Sequence, residues 1–521
     1  MNTQRLIHAT IAIVLAAAAP AMAEVNTGPS SSQSPYVTPT ADGWSVVSLL
    51  TVGDSPSNVT YPMVGIPDGL GALPGRFTSE GRYLWDRRYM TVLMDHELTS
   101  TAGTVRAHGQ TGAFVSQWTI NVNTLEVEDG ADLIQRVYTW DNNGWTDTTG
   151  TTAFSRLCSA NYPGIKAFYN RRSGKGYAGA IFMNGEETGS EGRAFAHVVA
   201  GSERGNTYQL PHLGRFSWEN SLAHPDSGDK TIVVGTDDST PGQIYVYVGE
   251  KQRSGNAVER AGLSNGKLFG VKISDGGSNY GGAAVPRENA GALNGSFTLV
   301  DLSDVATGTG AALQVASVSR SVTEFARPED GAWDTKREKD FYFVTTGATV
   351  DGTTQTARLY RLRLNSLKNP TSGQIDLITD SASMIGPDGQ TARSFDNITV
   401  DNKGNVIVQE DPGNSPYIAK TWQIDPDTGA ALEILQSDAS RFVTGGGAFL
   451  TQDEENSGVI EVTDLVSEAH WAAKDRRYFL ADMQAHYANG PELIEGGQLY
   501  LIESDRQRNR EDHRDDDRDH R

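Results

Sequence analysis

Thirteen residues could carry chemistry, and most are acids at the ends of short apolar runs. Ile181-Phe182-Met183 runs through Asn184-Gly185 into Glu186 and Glu187, and Thr91-Val92-Leu93-Met94 runs into Asp95-His96-Glu97. Thr231 to Val234 leads to Asp237 and Asp238, and Val406 to Val408 leads to Gln409-Glu410-Asp411. A buried carboxylate is costly unless it is paired or bound to a metal. One acidic pair at a turn is ordinary turn chemistry. The same pair at the same place in successive units suggests carboxylates that converge, and bound cations would hold them together. Oxygen-rich loops favour hard cations, Ca²⁺ first. Histidines are few and scattered, and Asp95-His96-Glu97 lacks the second His of a zinc helix.

Other segments add candidates. "GRFSWEN" places Glu219 behind Arg215, and "EFARPEDGAWD" places Arg327 two residues before Glu329. Pro328 restricts Arg327 to an extended backbone, so Arg327 and Glu329 should face one side. An arginine beside a metal-holding carboxylate suits an oxyanion substrate. "SFDNITVDNKGNVIVQED" contributes Asp396-Asn397 and Glu410-Asp411. There is no nucleophile-elbow, P-loop or zinc-helix motif.

The elements that must position these residues are strands. The chain has 56 Gly among 521 residues, few amphipathic helical patterns, and many Val/Ile/Tyr/Phe/Thr runs between Gly, Asn, Asp and Pro clusters. That pattern is all-β. Strand–turn–strand units also run from Phe341 to Leu362, from Ala448 to Val462 and from Tyr478 to Ile502. Such spacing predicts a β-propeller with long insertions, whose strand ends meet at one mouth of a central channel.

Composition sets the remaining bounds. The net charge is −21, from 65 acidic and 44 basic residues, which argues against nucleic-acid binding. Residues 1–23 read as a Sec-type signal peptide ending in Ala21-Met22-Ala23, too short to span a membrane. The mature chain is then periplasmic or extracellular. Residues 24–40 read as a flexible arm, 41–503 as one propeller domain, and 504–521, without an apolar residue, as a disordered charged tail. Cys158 is the single cysteine and cannot form an internal disulfide. Composition favours inert burial over a ligand role for it.

The stretches "MDHEL", "FSRLCSANYP", "NGEET", "LGRFSWEN", "VVGTDD" with "IYVYV", "FARPEDGAWD" and "FDNITVDNKGNVIVQED" come in an order that resembles the PhoX family of secreted bacterial alkaline phosphatases. The resemblance implies a six-bladed propeller with Fe³⁺ and Ca²⁺ at its mouth, acting as a monomer on small phosphate monoesters. It implies that Glu97, Glu219 and Glu329 bind metal, with one of Glu186 and Glu187, Glu186 being favoured. It also implies that Cys158 is a thiolate ligand to iron, which reverses the reading from composition, and that Arg327 holds phosphate. Asp237, Asp238, Asp396, Asn397, Glu410 and Asp411 remain additional metal or structural candidates. The sequence departs from the family pattern at Asp95, Trp218 and Asp237, and lacks a twin-arginine signal. A second phosphate-binding arginine has no clear position, Arg441 being the candidate. The competing readings are a calcium-dependent propeller hydrolase of a lactone or phytate-like substrate and a non-catalytic calcium-stabilised binding protein.

Overall fold

The structure, a computed structural model, describes residues 24–78, 81–141, 144–274, 287–291, 293–350 and 353–505. The signal-peptide segment 1–23 and tail residues 506–521 lie outside the described residues. Among those described, strands dominate and helices are short, the longest named one being Gly310–Ser319. The chain is all-β, as its patterning predicts.

The antiparallel strands group into units of four. Pro67–Pro74, Tyr89–His96, Phe114–Asn121 and Val127–Asp132 make the first. The next begin at the inner strands Leu157–Asn161, Trp218–Ala223, Pro328–Trp333, Phe395–Val400 and Glu454–Glu461. The third and fourth units merge into one nine-stranded sheet, because Gly295–Asp301 pairs with Ser372–Asp380 at their outer edges. Each inner strand packs against the inner strands of both neighbouring units, so the six close into a ring.

Alternation along each second strand explains the closure. Phe341 and Phe343 face one neighbour, where they pack with Ile232, Val234 and Val246. Tyr342 and Val344 face the other, where they pack with Val406, Val408 and Trp422. Successive side chains of a strand point to opposite faces, so a sheet buried on both faces reads as a continuous apolar run. Similar clusters fill the other interfaces between units. Buried polar links help: the Asp330 carboxylate accepts hydrogen bonds from Asn220 Nδ2 at 2.6 Å and the Ile398 amide at 3.1 Å, tying three inner strands.

Three expectations are corrected. Residues 24–40 are not a loose arm. Glu24–Thr27 pairs in parallel with Ser45–Thr51, Val37–Pro39 pairs with Ala431–Ser437, and Tyr36 and Val37 are buried. Apolar Tyr36 and Val37 anchor a segment whose Ser/Pro/Thr content suggests a linker. Ser45–Thr51 also supplies the outermost strand of the last unit, against Gly496–Glu503, so the N-terminal segment latches the ring. At the other end Ser504 is buried, its amide donating to the Arg477 carbonyl, so the ordered chain extends past the boundary predicted at 503. Finally, Ala448 to Leu450 is irregular rather than a strand; the inner strand of the last unit is Glu454–Glu461.

Candidate metal centre

Every inner strand carries an irregularity at the same place. Its register against the second strand shifts between Pro67 and Leu70, Leu157 and Ala160, Trp218 and Asn220, Pro328 and Gly331, Phe395 and Ile398, and Asn456 and Val459. A bulge bends the strand and re-aims side chains. Here the shifted segments contain Asp68, Cys158, Glu219, Glu329 and Asp396, and Glu455 immediately precedes the last one. A second tier comes from the residue just after each second strand: Glu97, Glu187, Asp238, Thr346, Asp411 and His486.

The two tiers meet. Ligating atoms of Asp68, Glu97 and Cys158 lie within 4.8 Å of one another, as do those of Cys158, Glu187 and Glu219; of Glu219, Glu329 and Asp396; and of Asp396, Asp411 and Glu455. Shared members link the four groups into one belt of eight carboxylates and a thiol. Oxygens around a single Ca²⁺ at ~2.3–2.6 Å lie at comparable mutual separations.

Two arginines edge the belt. The Arg156 guanidinium lies 2.7 Å from Glu97 Oε1 and also pairs with Glu187. Arg327 makes a bidentate pair with Asp238, both bonds 2.9 Å, and reaches Glu329 Oε1 at 3.1 Å. Their side chains are 44% and 38% exposed, so both can still meet a ligand from solvent. Arg327 and Glu329 do share a side, but by another route than predicted: Arg327 has φ 61°, a left-handed and not an extended backbone. Arg156, at φ 46°, has the same unusual conformation.

His486 adds a third positive charge: its Nε2 lies 3.9 Å from Glu455, and against the opposing effect of burial Glu455 and Glu495 push its pKa up to about 11. Three cationic side chains still do not neutralise eight acids. Burial is the main cause that pushes Asp68, Glu97, Glu329 and Asp396 above the usual carboxylate range, with neighbouring acids adding to it. Burial and then Glu97 push Glu187 up to about 10; burial raises Glu219 to about 8 and Asp411 to about 7. The Cys158 thiol is pushed up by burial and by Asp68, whose Oδ2 accepts its hydrogen bond at 3.3 Å. Such a set must hold protons or cations, and mixed carboxylate and thiol donors fit cations.

Several predicted residues lie elsewhere. Glu186, the favoured member of its pair, is held by Arg193 through bonds of 2.6 and 2.7 Å, outside the belt; Glu187 enters it instead. Period-two alternation along the strand separates the neighbours. Glu410 accepts from Tyr417, Trp422 and the amides of Arg393 and Lys420, a set of bonds that fixes its own unit. Asp237 accepts from Ser239 Oγ at 2.9 Å and is in none of the four groups. Asp238 serves Arg327. Asn397 donates to Ser159 Oγ at 2.6 Å and to Asp68 Oδ1 at 3.4 Å, supporting the belt from beneath. Arg441 pairs with Asp438 and Ser34, and Arg156 occupies the position by the belt. Asp68, Arg156 and Glu455 were missed. Asp68 stands in "PDG", which reads as a turn, and Glu455 sits in an acidic run without any mark to single it out.

Fold and site together define an all-β protein whose ring of inner strands presents, at one mouth, a belt of carboxylates and a thiol that could hold metal ions. Residues 198–428 match the family model described as alkaline phosphatase PhoX, which bears out the resemblance drawn from the motifs. Among solved structures, the chain is similar to Pseudomonas fluorescens PhoX in complex with vanadate, a transition state analogue. That match has a TM-score of 0.54 and 13% identity, covering 88% of this chain and 94% of that one. A putative 6-phosphogluconolactonase from Bacteroides uniformis also matches, with a TM-score of 0.29 and 12% identity, over 70% of this chain and 82% of that one. No curated protein sequence matches. Among the described residues, no helix is long and apolar enough to cross a membrane.

Proposed function

We propose that this protein is a secreted, metal-dependent phosphatase that hydrolyses small phosphate monoesters at the mouth of a six-bladed propeller. The observation that carries the proposal is the convergence of eight carboxylates and one thiol beside two solvent-accessible arginines, in a chain whose central segment matches the PhoX model. Asp68, Glu97, Glu187, Glu219, Glu329, Asp396, Asp411 and Glu455 would hold cations through oxygen, which suits Ca²⁺; the Cys158 thiolate suits iron as Fe³⁺. Bound cations would supply Lewis-acid polarisation of phosphate oxygens. Arg327 and Arg156 would orient the phosphate and offset the charge that grows on its oxygens. Asp238 and Glu329 fix the Arg327 fork, and Thr346 Oγ1 lies 2.7 Å from Glu329 Oε1, steadying that carboxylate in turn. Residues 1–23 would direct Sec export, and the mature monomer would act in the periplasm or outside the cell.

Metal analysis of purified protein, with turnover of p-nitrophenyl phosphate, tests this reading. Iron with calcium, and turnover that falls about 10²–10³-fold in Arg327→Ala, is the expected result. Calcium alone would favour a calcium-only hydrolase of another substrate or a binding protein, and absent turnover would remove the phosphatase.

A further inference from the structure

Beside Arg327, which immediately precedes Pro328–Trp333, the protein contains a cavity of about 690 Å³, formed by the loop after Asp340–Thr345 and by the approach to Phe395–Val400. Its lining has no carboxylate and no aromatic ring. It offers hydroxyl and amide groups: among the described residues, the side chains of Thr240, Gln355, Thr391 and Ser394 make no hydrogen bond within the protein. Gln355 is buried, whereas Thr240 and Thr391 are exposed.

A second arginine lines the same cavity. Arg393 is exposed, and among the described residues its guanidinium pairs with no carboxylate. Its guanidinium carbon lies 3.8 Å from the centroid of the Tyr417 ring, and stacking on an aromatic face limits the conformations an arginine must lose on binding. Arg327, which also lines the cavity, is by contrast paired with Asp238 and Glu329. The space therefore has a committed arginine where it meets the belt, an uncommitted one in its wall, and neutral hydrogen-bonding groups around them.

We propose that this cavity holds the leaving group of the substrate, and that the preferred substrates are hydroxyl-rich phosphate esters carrying a second anionic group, such as sugar bisphosphates. The proposal rests on the phosphatase reading above. With the scissile phosphate at Arg327 and the belt, the rest of the ester extends into the cavity. Thr240, Gln355, Thr391 and Ser394 meet its hydroxyls, and Arg393 meets the second phosphate or carboxylate, bidentately where geometry allows. In hydrolysis, water forms the new P–O bond, the bond from phosphorus to the sugar oxygen breaks, and that oxygen departs with a proton from the water. Arg393 takes no part in these steps. It contributes affinity for the distal anion, so its effect should depend on whether the substrate has one.

The test compares wild type with Arg393→Gln and Arg393→Lys on fructose 1,6-bisphosphate, glucose 6-phosphate and p-nitrophenyl phosphate. The expected result is that kcat/KM for the bisphosphate falls about tenfold or more in Arg393→Gln, mostly through KM, with partial recovery in Arg393→Lys. Turnover of p-nitrophenyl phosphate stays unchanged, which also shows that the variants fold. Equal losses on all three substrates, or none, would overturn the assignment. If wild type hydrolyses none of them, the phosphatase reading fails, and calorimetric binding of the bisphosphate to wild type and Arg393→Gln then decides the cavity on its own. Tighter binding by wild type keeps it as an anion-binding site, and equal binding ends it.

Discussion

At the scale of single residues, Glu186 and Glu187 show how one step along a strand separates two identical side chains. Glu186 ends its strand paired with Arg193, while Glu187 enters the belt beside Arg156. Glu187→Gln should therefore lose at least about 10²-fold of phosphatase activity with little change in melting temperature. Glu186→Gln, which breaks a largely buried pair, should cost about 1–3 kcal/mol of stability while folded enzyme keeps its turnover; the reverse pattern would exchange their roles. Cys158 gives a second contrast. As an inert thiol, Cys158→Ser would cost about 0.5–3 kcal/mol and nothing else. As an iron ligand, the substitution should remove iron and any thiolate-to-iron colour and collapse turnover, with the β-sheet circular dichroism intact. A Cys158→Ser protein with wild-type iron and near-normal turnover would leave the calcium-only reading in front.

At the scale of elements, the bulges and the latch matter most. Six register shifts at equivalent places turn inner-strand side chains toward the axis, where an unbroken alternation would alternate them between the interfaces on either side. The N-terminal segment holds the last unit closed through Ser45–Thr51 and covers the outer edge of its neighbour through Val37–Pro39. Starting the chain at residue 41 exposes the sites of Tyr36 and Val37, each worth about 1.5–3 kcal/mol when buried. That truncation should lower the melting temperature by several degrees. Ending the chain after Asp505 removes none of the described contacts and should leave both melting and activity unchanged. A drop there would show that the charged tail is structural.

At the scale of the whole molecule, the belt makes stability depend on pH and on cations together. Glu219 and Asp411 are raised to about 8 and about 7 from ordinary values of 4.5 and 3.8. The folded chain then binds protons that the unfolded chain has already released. This contribution to stability is fully present below about pH 4 and is lost as pH rises through about 7–8. Cations take the place of those protons. In chelator, the melting temperature should fall steadily from pH 5 to pH 8; with calcium restored, the slope should flatten and the value at pH 8 should rise. A chelated protein as stable at pH 8 as at pH 5 would mean that the belt is already neutralised by groups of the protein itself.

How much of this was legible in the sequence follows from where each signal resides. Second strands such as Phe341-Tyr342-Phe343-Val344 are buried on both faces, so local composition alone identifies them, and the acids that follow them mark the outer tier: Glu97, Glu187, Asp238 and Asp411. The first strands read as loops, because "PDGLGALP" and "EENSGVIE" mix glycine with acids at a bulge. Asp68 and Glu455 were therefore invisible as site residues; Glu219 and Glu329 stood out through their local motifs, and Cys158 as a ligand only through a family resemblance. The choice between Glu186 and Glu187 depended on Arg193, a cross-strand partner that no local pattern announces. Local residue chemistry determined that the chain is β-rich, acidic and armed with carboxylates at strand ends. Ring closure decided which of them meet, because groups more than 300 residues apart, such as Asp68 and Asn397, become neighbours only when the last unit docks on the first.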